Sequence, residues 1–278
     1  MSDLRLTVIV ATYNHKNYIA RCLDSLLSQK TNFNYIIKVV DDCSTDGTSD
    51  IVREYEKKYP DLIKAIIRDK NLGPVDSLYP VYCDIDTDYF YSIDGDDYLI
   101  DDNKFQIQVD VLDNHKDCTI CAHNTRIIDV NSNNEELYIC NKKLKSKIFT
   151  FYKCPHTHFS SRMYRNVVDY SKENKKIVWD VFCYYKFLSL GKLYYINKVM
   201  SVYYKDGNGI YSKLTNDEAY THGMQTAYEL DLFLKFKYTK KFRKDYLPEF
   251  CKHKNLKKLE CKLPFWYRFI QECLLKLI

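Results

Sequence analysis

Glycine is scarce, with 7 residues in 278. That excludes a collagen-like chain, a glycine-rich repeat and a flexible linker. No self-similarity recurs at a period of about 20–50 residues, so repeat architectures are excluded too. Long apolar runs are also missing, since no window approaches the roughly 18 uncharged apolar residues of a spanning helix. Both common glycine signatures for phosphate are absent: no G-x-G-x-x-G follows the first apolar stretch, and no G-x-x-x-x-G-K-[ST] occurs. The N-terminus, Met1-Ser2-Asp3-Leu4, runs straight into strand-like sequence, so no signal or transit segment is expected. Cysteine is plentiful, at 11, but has no framework. Only Cys118 and Cys121 form a C-x-x-C, and no second pair sits at zinc-ribbon distance. An odd count without a leader points to reduced thiols in the cytoplasm.

What remains is globular in composition, 46% apolar and 28% charged. The length suits one large domain or two smaller ones. The net charge of +5 is unevenly placed. Residues 235–278 hold 13 Lys and Arg against 4 Asp and Glu, which leaves the rest mildly acidic. An acidic body with a basic tail suggests chemistry in the first and an anionic contact in the second.

Leu6–Ala11 is a continuous apolar run, as expected for a strand buried on both faces. Tyr18, Ile19, Cys22, Leu23, Leu26 and Leu27 follow at helical spacing. Ile36–Val40 predicts a second strand, ending in Asp41-Asp42. Ser44 or Thr45 is expected to cap the next helix, which stops near Pro60, and Ile63–Ile67 is a third strand. This βαβαβ order predicts an α/β fold with a largely parallel sheet. Ligands in such sheets sit beyond the carboxyl ends of the strands. Tyr89–Ile93 is a further strand, with a helix expected around Lys104–Leu112. Cys118–His123, Arg126–Val130, Leu137–Cys140 and His158–Tyr164 are expected strands, Asp180–Leu190 a helix, and Leu193–Tyr204 one or two short strands. The expected organisation is a catalytic domain over 1–213 and a helical, basic extension over 214–278.

The chemistry concentrates in Asp94-Gly95-Asp96-Asp97, at a strand end. Three carboxylates in four residues repel one another unless a cation joins them. Gly95 permits a tight turn that aims Asp94 and Asp96 at one point. Oxygen-only ligation suits Mg2+ or Mn2+, with substrate phosphates completing the shell. The competing reading is a solvated acidic turn.

Four ordered stretches carry a resemblance: Val8–Asn14, Val39–Thr48, Asn71-Leu72-Gly73 and Ile93–Asp97. Together they resemble the family 2 glycosyltransferases, which have a GT-A nucleotide-sugar-binding fold. The resemblance covers residues 5–100 and implies sugar transfer without naming the sugar. It places Thr12, Tyr13, Asn14 and Asn71 beside the nucleotide and Asp42 on the base, usually uracil. It puts Asp94, Gly95 and Asp96 on the ribose and the metal, with Asp97 as an additional acid. The competing reading of Asp42 is a charge partner for a helix N-terminus.

The second half is similar over Val178–Phe182, Gly191–Ile196 and Val199–Tyr204. There the family's catalytic base matches Asp180, which opens a helix, and an apolar neighbour such as Trp179 would suit it to base work. The alternative is a simple N-cap. Lys205–Ser212 resembles a loop that closes over the donor, with departures. Family members often have His where Asp206 stands and Arg where Tyr204 stands. Asp206 can ligate metal but repels diphosphate, and Lys205 or Lys213 would compensate. His156 and His158 suit acceptor-pocket lining or a simple packed pair better than a zinc site. Cys118 and Cys121 suit buried strand positions.

The tail joins Lys252, Lys254, Lys257, Lys258 and Lys262 to Phe265-Trp266-Tyr267 and an apolar helix. That pattern suits an anionic membrane surface, the cytoplasmic face of the inner membrane for example; the alternatives are docking on the catalytic domain or a second copy of the chain. No nucleic-acid motif is present. The leading expectation is a metal-dependent, inverting glycosyltransferase. It would use a nucleotide-diphosphate sugar, UDP-linked by resemblance. Its acceptor would be a glycan or lipid-linked glycan of a bacterial surface polysaccharide. The alternatives are a nucleotidyltransferase, marked by pyrophosphate release, and a non-catalytic sugar-nucleotide or glycan-binding module, marked by binding without turnover.

Overall fold

Among the described residues up to 206, ten strands and five α-helices follow the chain in order. They are β1 (Leu4–Thr12), α1 (Ile19–Leu27), β2 (Asn34–Asp41), α2 (Thr48–Lys58), β3 (Ile63–Ile67), α3 (Gly73–Cys83), β4 (Tyr89–Asp94) and β5 (Tyr98–Leu99). Then come α4 (Lys104–Asn114), β6 (Cys118–Asp129), β7 (Asn134–Leu137), β8 (Lys147–Phe149), β9 (Met163–Arg165), α5 (Asp180–Leu190) and β10 (Lys192–Lys205). These are the elements of a computed structural model that describes residues 4–139 and 144–207, with 215, 226, 228–235 and 237 beyond them. The chain divides into two compact units, Met1–Asp206 and Gly207–Ile278. In the second, residues 228–233 are helical.

All ten strands join one sheet, in the order β3-β2-β1-β4-β9-β6-β10-β5, with β7 on β6 and β8 on β10. The long ladders, β1 with β2 and β4, β2 with β3, and β6 with β10, are parallel. The antiparallel ladders are short, as at β4 with β9. The fold is therefore α/β, mostly parallel, as the helix–strand alternation implies. β1 is central, and Leu6, Val8 and Val10 are fully buried, as a run covered on both faces requires.

The aromatic richness of the sequence becomes a second core around β4. Phe90 stacks on Tyr164 with centroids 4.9 Å apart and meets Phe187 of α5 edge-on at 5.5 Å. Two buried tyrosine hydroxyls there have partners: Tyr82 with Ser92 Oγ at 2.7 Å, and Tyr91 with the Ser160 carbonyl at 2.8 Å.

Several local expectations are corrected. Neither Ser44 nor Thr45 caps α2. The Ser44 hydroxyl turns to Asp41, and the Asp46 carboxylate accepts from the Thr48 N–H at 2.9 Å. α3 has no forerunner in the sequence reading, because Pro74 and Pro80 mask it. Pro74 sits in the first turn, where its missing N–H costs nothing, whereas Pro80 forfeits one helical bond. Cys118–Asp129 is one strand, not two, and 192–205 is likewise continuous, with irregular register near Ile196 to Ser201. The strand expected at Leu137–Cys140 lies earlier, at Asn134–Leu137. His158–Tyr164 is a short 3-10 turn, Phe159–Ser161, leading into β9. Cys118 and Cys121 are buried in β6.

Candidate active site

Three parallel neighbours end at the same edge of the sheet, and their last residues converge. Asp42 N–H donates to the Thr12 carbonyl at 3.0 Å, and Gly95 N–H donates to the Ala11 carbonyl at 2.8 Å. So Thr12-Tyr13-Asn14, Asp42 and Asp94–Asp97 share one rim because β1, β2 and β4 are adjacent and parallel. Asn14 takes a positive φ of 56°, and its side chain accepts from the Thr45 N–H at 2.9 Å. Tyr13 is exposed. The expected reason for Gly95 needs correction: it is space rather than a glycine-only φ. A Cβ there would lie 2.9 Å from both Thr12 Oγ1 and His15 Nδ1.

Asp42 is buried and accepts from Leu72 N–H at 2.9 Å and Gly73 N–H at 2.8 Å. It therefore meets the N-terminus of α3, the competing reading of this residue. Asn71 caps the same turn, accepting from Gly73 N–H at 3.1 Å. Each Asp42 oxygen keeps a lone pair beyond that bond, so contact with a base is compatible with the arrangement.

The acidic turn is electrostatically loaded. Asp94 keeps solvent access, yet protein crowds it on its other sides. That crowding, then Asp96 and Asp180, pushes its carboxyl up to about 8. Burial raises Asp96 as well and Asp206 adds to it, whereas His15 and Arg21 draw it back. His15 Nε2 lies 4.0 Å from Asp96 Oδ2, and Arg21 Nη2 donates to the Asp96 carbonyl at 3.1 Å. The Arg21 guanidinium is held between the rings of Tyr98 and Tyr204, at 4.2 and 4.3 Å. Asp97 differs from its neighbours. It is buried, its Oδ1 accepts from Tyr204 N–H at 3.1 Å, and its carboxyl is driven up strongly by burial and by Asp96 and Asp94. It ties β10 to the turn rather than facing a ligand.

From the second half of the chain, Asp180 opens α5 beside Arg162, which immediately precedes β9, the strand next to β4. Its side chain is 49% exposed, and its nearest charged neighbour is the buried guanidinium of Arg162, with Nη1 4.0 Å from Oδ2. The neighbouring Trp179 ring meets Phe182 edge-on, with centroids 6.0 Å apart. Asp206 also arrives, accepting from the Tyr18 hydroxyl at 2.8 Å. Lys205 does not compensate it. Lys205 ends β10 opposite Asp129 of β6, and its Nζ pairs with that carboxylate at 3.4 Å. Lys213 lies outside the described residues. His156 Nδ1 bonds the Tyr138 hydroxyl at 2.9 Å, whereas His158 turns inward onto Ser160 Oγ at 2.8 Å and stacks on Tyr203. Both rings meet the Tyr138 ring, at 6.2 and 5.3 Å.

Among the described residues, no three His, Cys, Asp or Glu side chains form a metal cage of their own. Asp94 and Asp96 nevertheless fit a shared divalent ion. Two carboxylates two residues apart, one of them raised by the charge of the other, are hard oxygen donors suited to a cation, and Mg2+ or Mn2+ commonly takes one or two carboxylates plus substrate phosphates.

Residues 7–171 match the family model for glycosyl transferase family 2. The chain belongs to glycosyl transferase family 2. Among relatives, an uncharacterized protein of Mycobacterium bovis is 35% identical over 123 residues, 44% of this chain and 36% of that protein. The teichoic acid poly(glycerol phosphate) polymerase of Staphylococcus epidermidis is 38% identical over 96 residues, 34% of this chain and 13% of the polymerase. The chain thus spans about a third or less of the length of these two relatives. By structure, TarS residues 1–349 of S. aureus with UDP align at a TM-score of 0.68 and 18% identity, covering 95% of this chain and 77% of that fragment. A mannosyltransferase of Pyrobaculum calidifontis with GDP-Man and Mn2+ aligns at 0.61 and 16% identity, covering 99% and 81%. Both share the fold.

Within this family 2 site, sequence reasoning missed His15, Tyr18, Arg21 and Arg162. The first three sit in and just after the loop that leaves β1, a signal available from the strand-end rule. Arg162 left one trace, a lone arginine in the otherwise uncharged stretch His158–Tyr164.

Proposed function

We propose that this chain is an inverting glycosyltransferase that moves a sugar from a nucleotide-diphosphate sugar to a hydroxyl of a glycan acceptor. One observation carries the reading: the adjacent parallel strands β1, β2 and β4 bring Thr12–Asn14, Asp42 and the acidic turn Asp94–Asp96 to one rim of the sheet, the place where such a fold holds a nucleotide. Asp180 takes the proton of the acceptor hydroxyl. That oxygen attacks the anomeric carbon in line, and the bond to the diphosphate breaks with its electron pair leaving on the diphosphate. Direct displacement inverts the centre. Asp96 and Asp94 would hold Mn2+ or Mg2+, whose charge offsets that gathering on the leaving group. Thr12, Tyr13, Asn14, Asp42 and Asn71 line the nucleotide side.

The neighbours support this reading. TarS was crystallised with UDP and with UDP-GlcNAc, and the mannosyltransferase with GDP-Man and Mn2+. The teichoic-acid polymerase and a poly(ribitol-phosphate) beta-glucosyltransferase of Bacillus spizizenii support a cell-surface polymer as acceptor. Among the described residues no helix is long and apolar enough to cross a membrane. Residues 252–278 lie outside the described residues; a contact with anionic lipid there remains part of the proposal, tested by co-sedimentation with anionic against zwitterionic vesicles.

The test of the reaction is thermal unfolding against a panel of nucleoside diphosphates and nucleotide sugars, with and without Mn2+. A shift for one base that depends on Mn2+ and disappears in Asp96→Ala identifies the donor class. Asp180→Asn is expected to keep that shift and lose transfer. Equal transfer by the variant removes Asp180 from the mechanism.

A further inference from the structure

Arg162 is among the largest fully buried side chains, at 0% exposure. A buried guanidinium needs every donor satisfied and its charge countered. Its Nε donates to Thr157 Oγ1 at 3.1 Å, its Nη2 to the Thr157 carbonyl, and its Nη1 to the Asp180 carbonyl at 3.2 Å. Its Cζ lies 4.2 Å over the Tyr184 ring. Thr157 and Tyr184 supply no negative charge. Among the described residues, the carboxylate at ion-pair distance is that of Asp180, with Oδ2 4.0 Å from Nη1. The other oxygen of that carboxylate, Oδ1, accepts from Val181 N–H at 2.5 Å.

The placement is otherwise unfavourable. Arg162 lies against the first turn of α5, the positive end of the helix dipole, where a cation is destabilising. Helix capping needs no arginine there. A strut does: Arg162 immediately precedes β9, and β9 pairs with β4, whose end carries Asp94 and Asp96. One rigid side chain therefore links the strand beside the acidic turn to the helix that carries Asp180. Asp180 is half exposed, its Oδ1 is held by the Val181 N–H, and the cation that faces its Oδ2 is Arg162.

We infer that Arg162 is a positioning residue for Asp180, a buried strut that sets the distance and aim of that carboxylate relative to the acidic turn. The inference rests on the reading of Asp180 as the base. Arg162 does not touch substrate; it acts through Asp180.

The experiment uses the full chain and the variants Arg162→Met, which keeps bulk without charge, and Arg162→Lys, which keeps charge without the fork. Asp180→Asn is made alone and in the Arg162→Met background. The first readout needs no substrate: urea unfolding across this double-mutant cycle. Asp180→Asn is expected to lower the folding equilibrium constant at least tenfold in the parent and less than threefold beside Arg162→Met. Additive effects overturn the inference. If Arg162→Met does not fold, the same cycle on Arg162→Lys decides, with a loss intermediate between the two expected and additivity again fatal.

The second readout is nucleotide release from the nucleotide sugar that gives the largest thermal shift with Mn2+. Arg162→Met is expected to lower kcat at least 100-fold with the donor KM changed less than threefold, and Arg162→Lys to recover at least tenfold. A loss confined to KM, or no recovery by lysine, means a merely structural arginine and overturns the inference. If Asp180→Asn retains parental turnover, the base assignment itself has failed. That outcome is distinct from a failed strut, in which Asp180→Asn is inactive and Arg162→Met is not.

Discussion

At Gly95 a methyl group has nowhere to go. The space is already filled by Thr12 Oγ1 and His15 Nδ1, each 2.9 Å from where a Cβ would stand. Gly95→Ala is therefore expected to cost about 1–3 kcal/mol in urea unfolding and to weaken Mn2+-dependent nucleotide binding, because the β1 loop and the acidic turn must part. Lys104 makes the opposite case. It is fully buried, its Nζ has no hydrogen-bond partner, and it lies 3.4 Å from the centre of the Tyr91 ring. Burial pulls its proton affinity well below the ordinary lysine value of 10.5. Between those two values the unfolded chain holds a proton that the folded chain does not, so stability falls as pH falls through that window. Lys104→Met removes this loss. We expect it to stabilise the protein by about 1–4 kcal/mol at neutral pH, with an advantage that shrinks towards pH 10. Equal stability of parent and variant at both pH values would contradict this.

At the scale of elements, the site depends on strand ends held to helix starts. Asp42 joins β2 to α3 through the Leu72 and Gly73 amides. Asp42→Ala is expected to cost about 2 kcal/mol, since two hydrogen bonds to a buried charge are lost. Hydrogen exchange at those two amides should accelerate more than at the centre of α3, and uniform acceleration would instead indicate global destabilisation. The same element shows where local sequence signals are weak. Pro74 and Pro80 argue against a helix over Gly73–Cys83, yet packing of Ser77, Leu78, Val81 and Tyr82 retains it. Helix and strand periodicity made β1, β2, β4 and α5 legible, because their burial follows from the pattern of single residues. It could not separate one long strand from two at Cys118–Asp129, since a polar interruption such as His123-Asn124-Thr125 is tolerated only once neighbouring strands and side chains satisfy it.

At the scale of the whole molecule, ligand binding should be visible as stability. A nucleoside diphosphate with Mn2+ at about 100 times its Kd should add about 2.7 kcal/mol to unfolding of the native chain, and EDTA should remove that gain. Persistence of the gain in EDTA would show that the nucleotide binds without the ion.

The sequence by itself determined the βαβαβ start, the later elements β4, α4 and α5, and the family motifs at the ends of β1, β2 and β4. Each is a local pattern: a run of apolar residues, a turn, a cluster of acids. Adjacent parallel strands then carry those motifs to one rim almost automatically. Only the tertiary structure decided which distant groups join them. It turned Asp97 inward to hold β10, sent Lys205 to Asp129 of β6, and brought Arg21 and His15 onto Asp96. It also set Arg162 against Asp180. The reason is physical. Side-chain direction follows from register and packing across the sheet, and a charge shows its partner only after the fold has chosen what to bury.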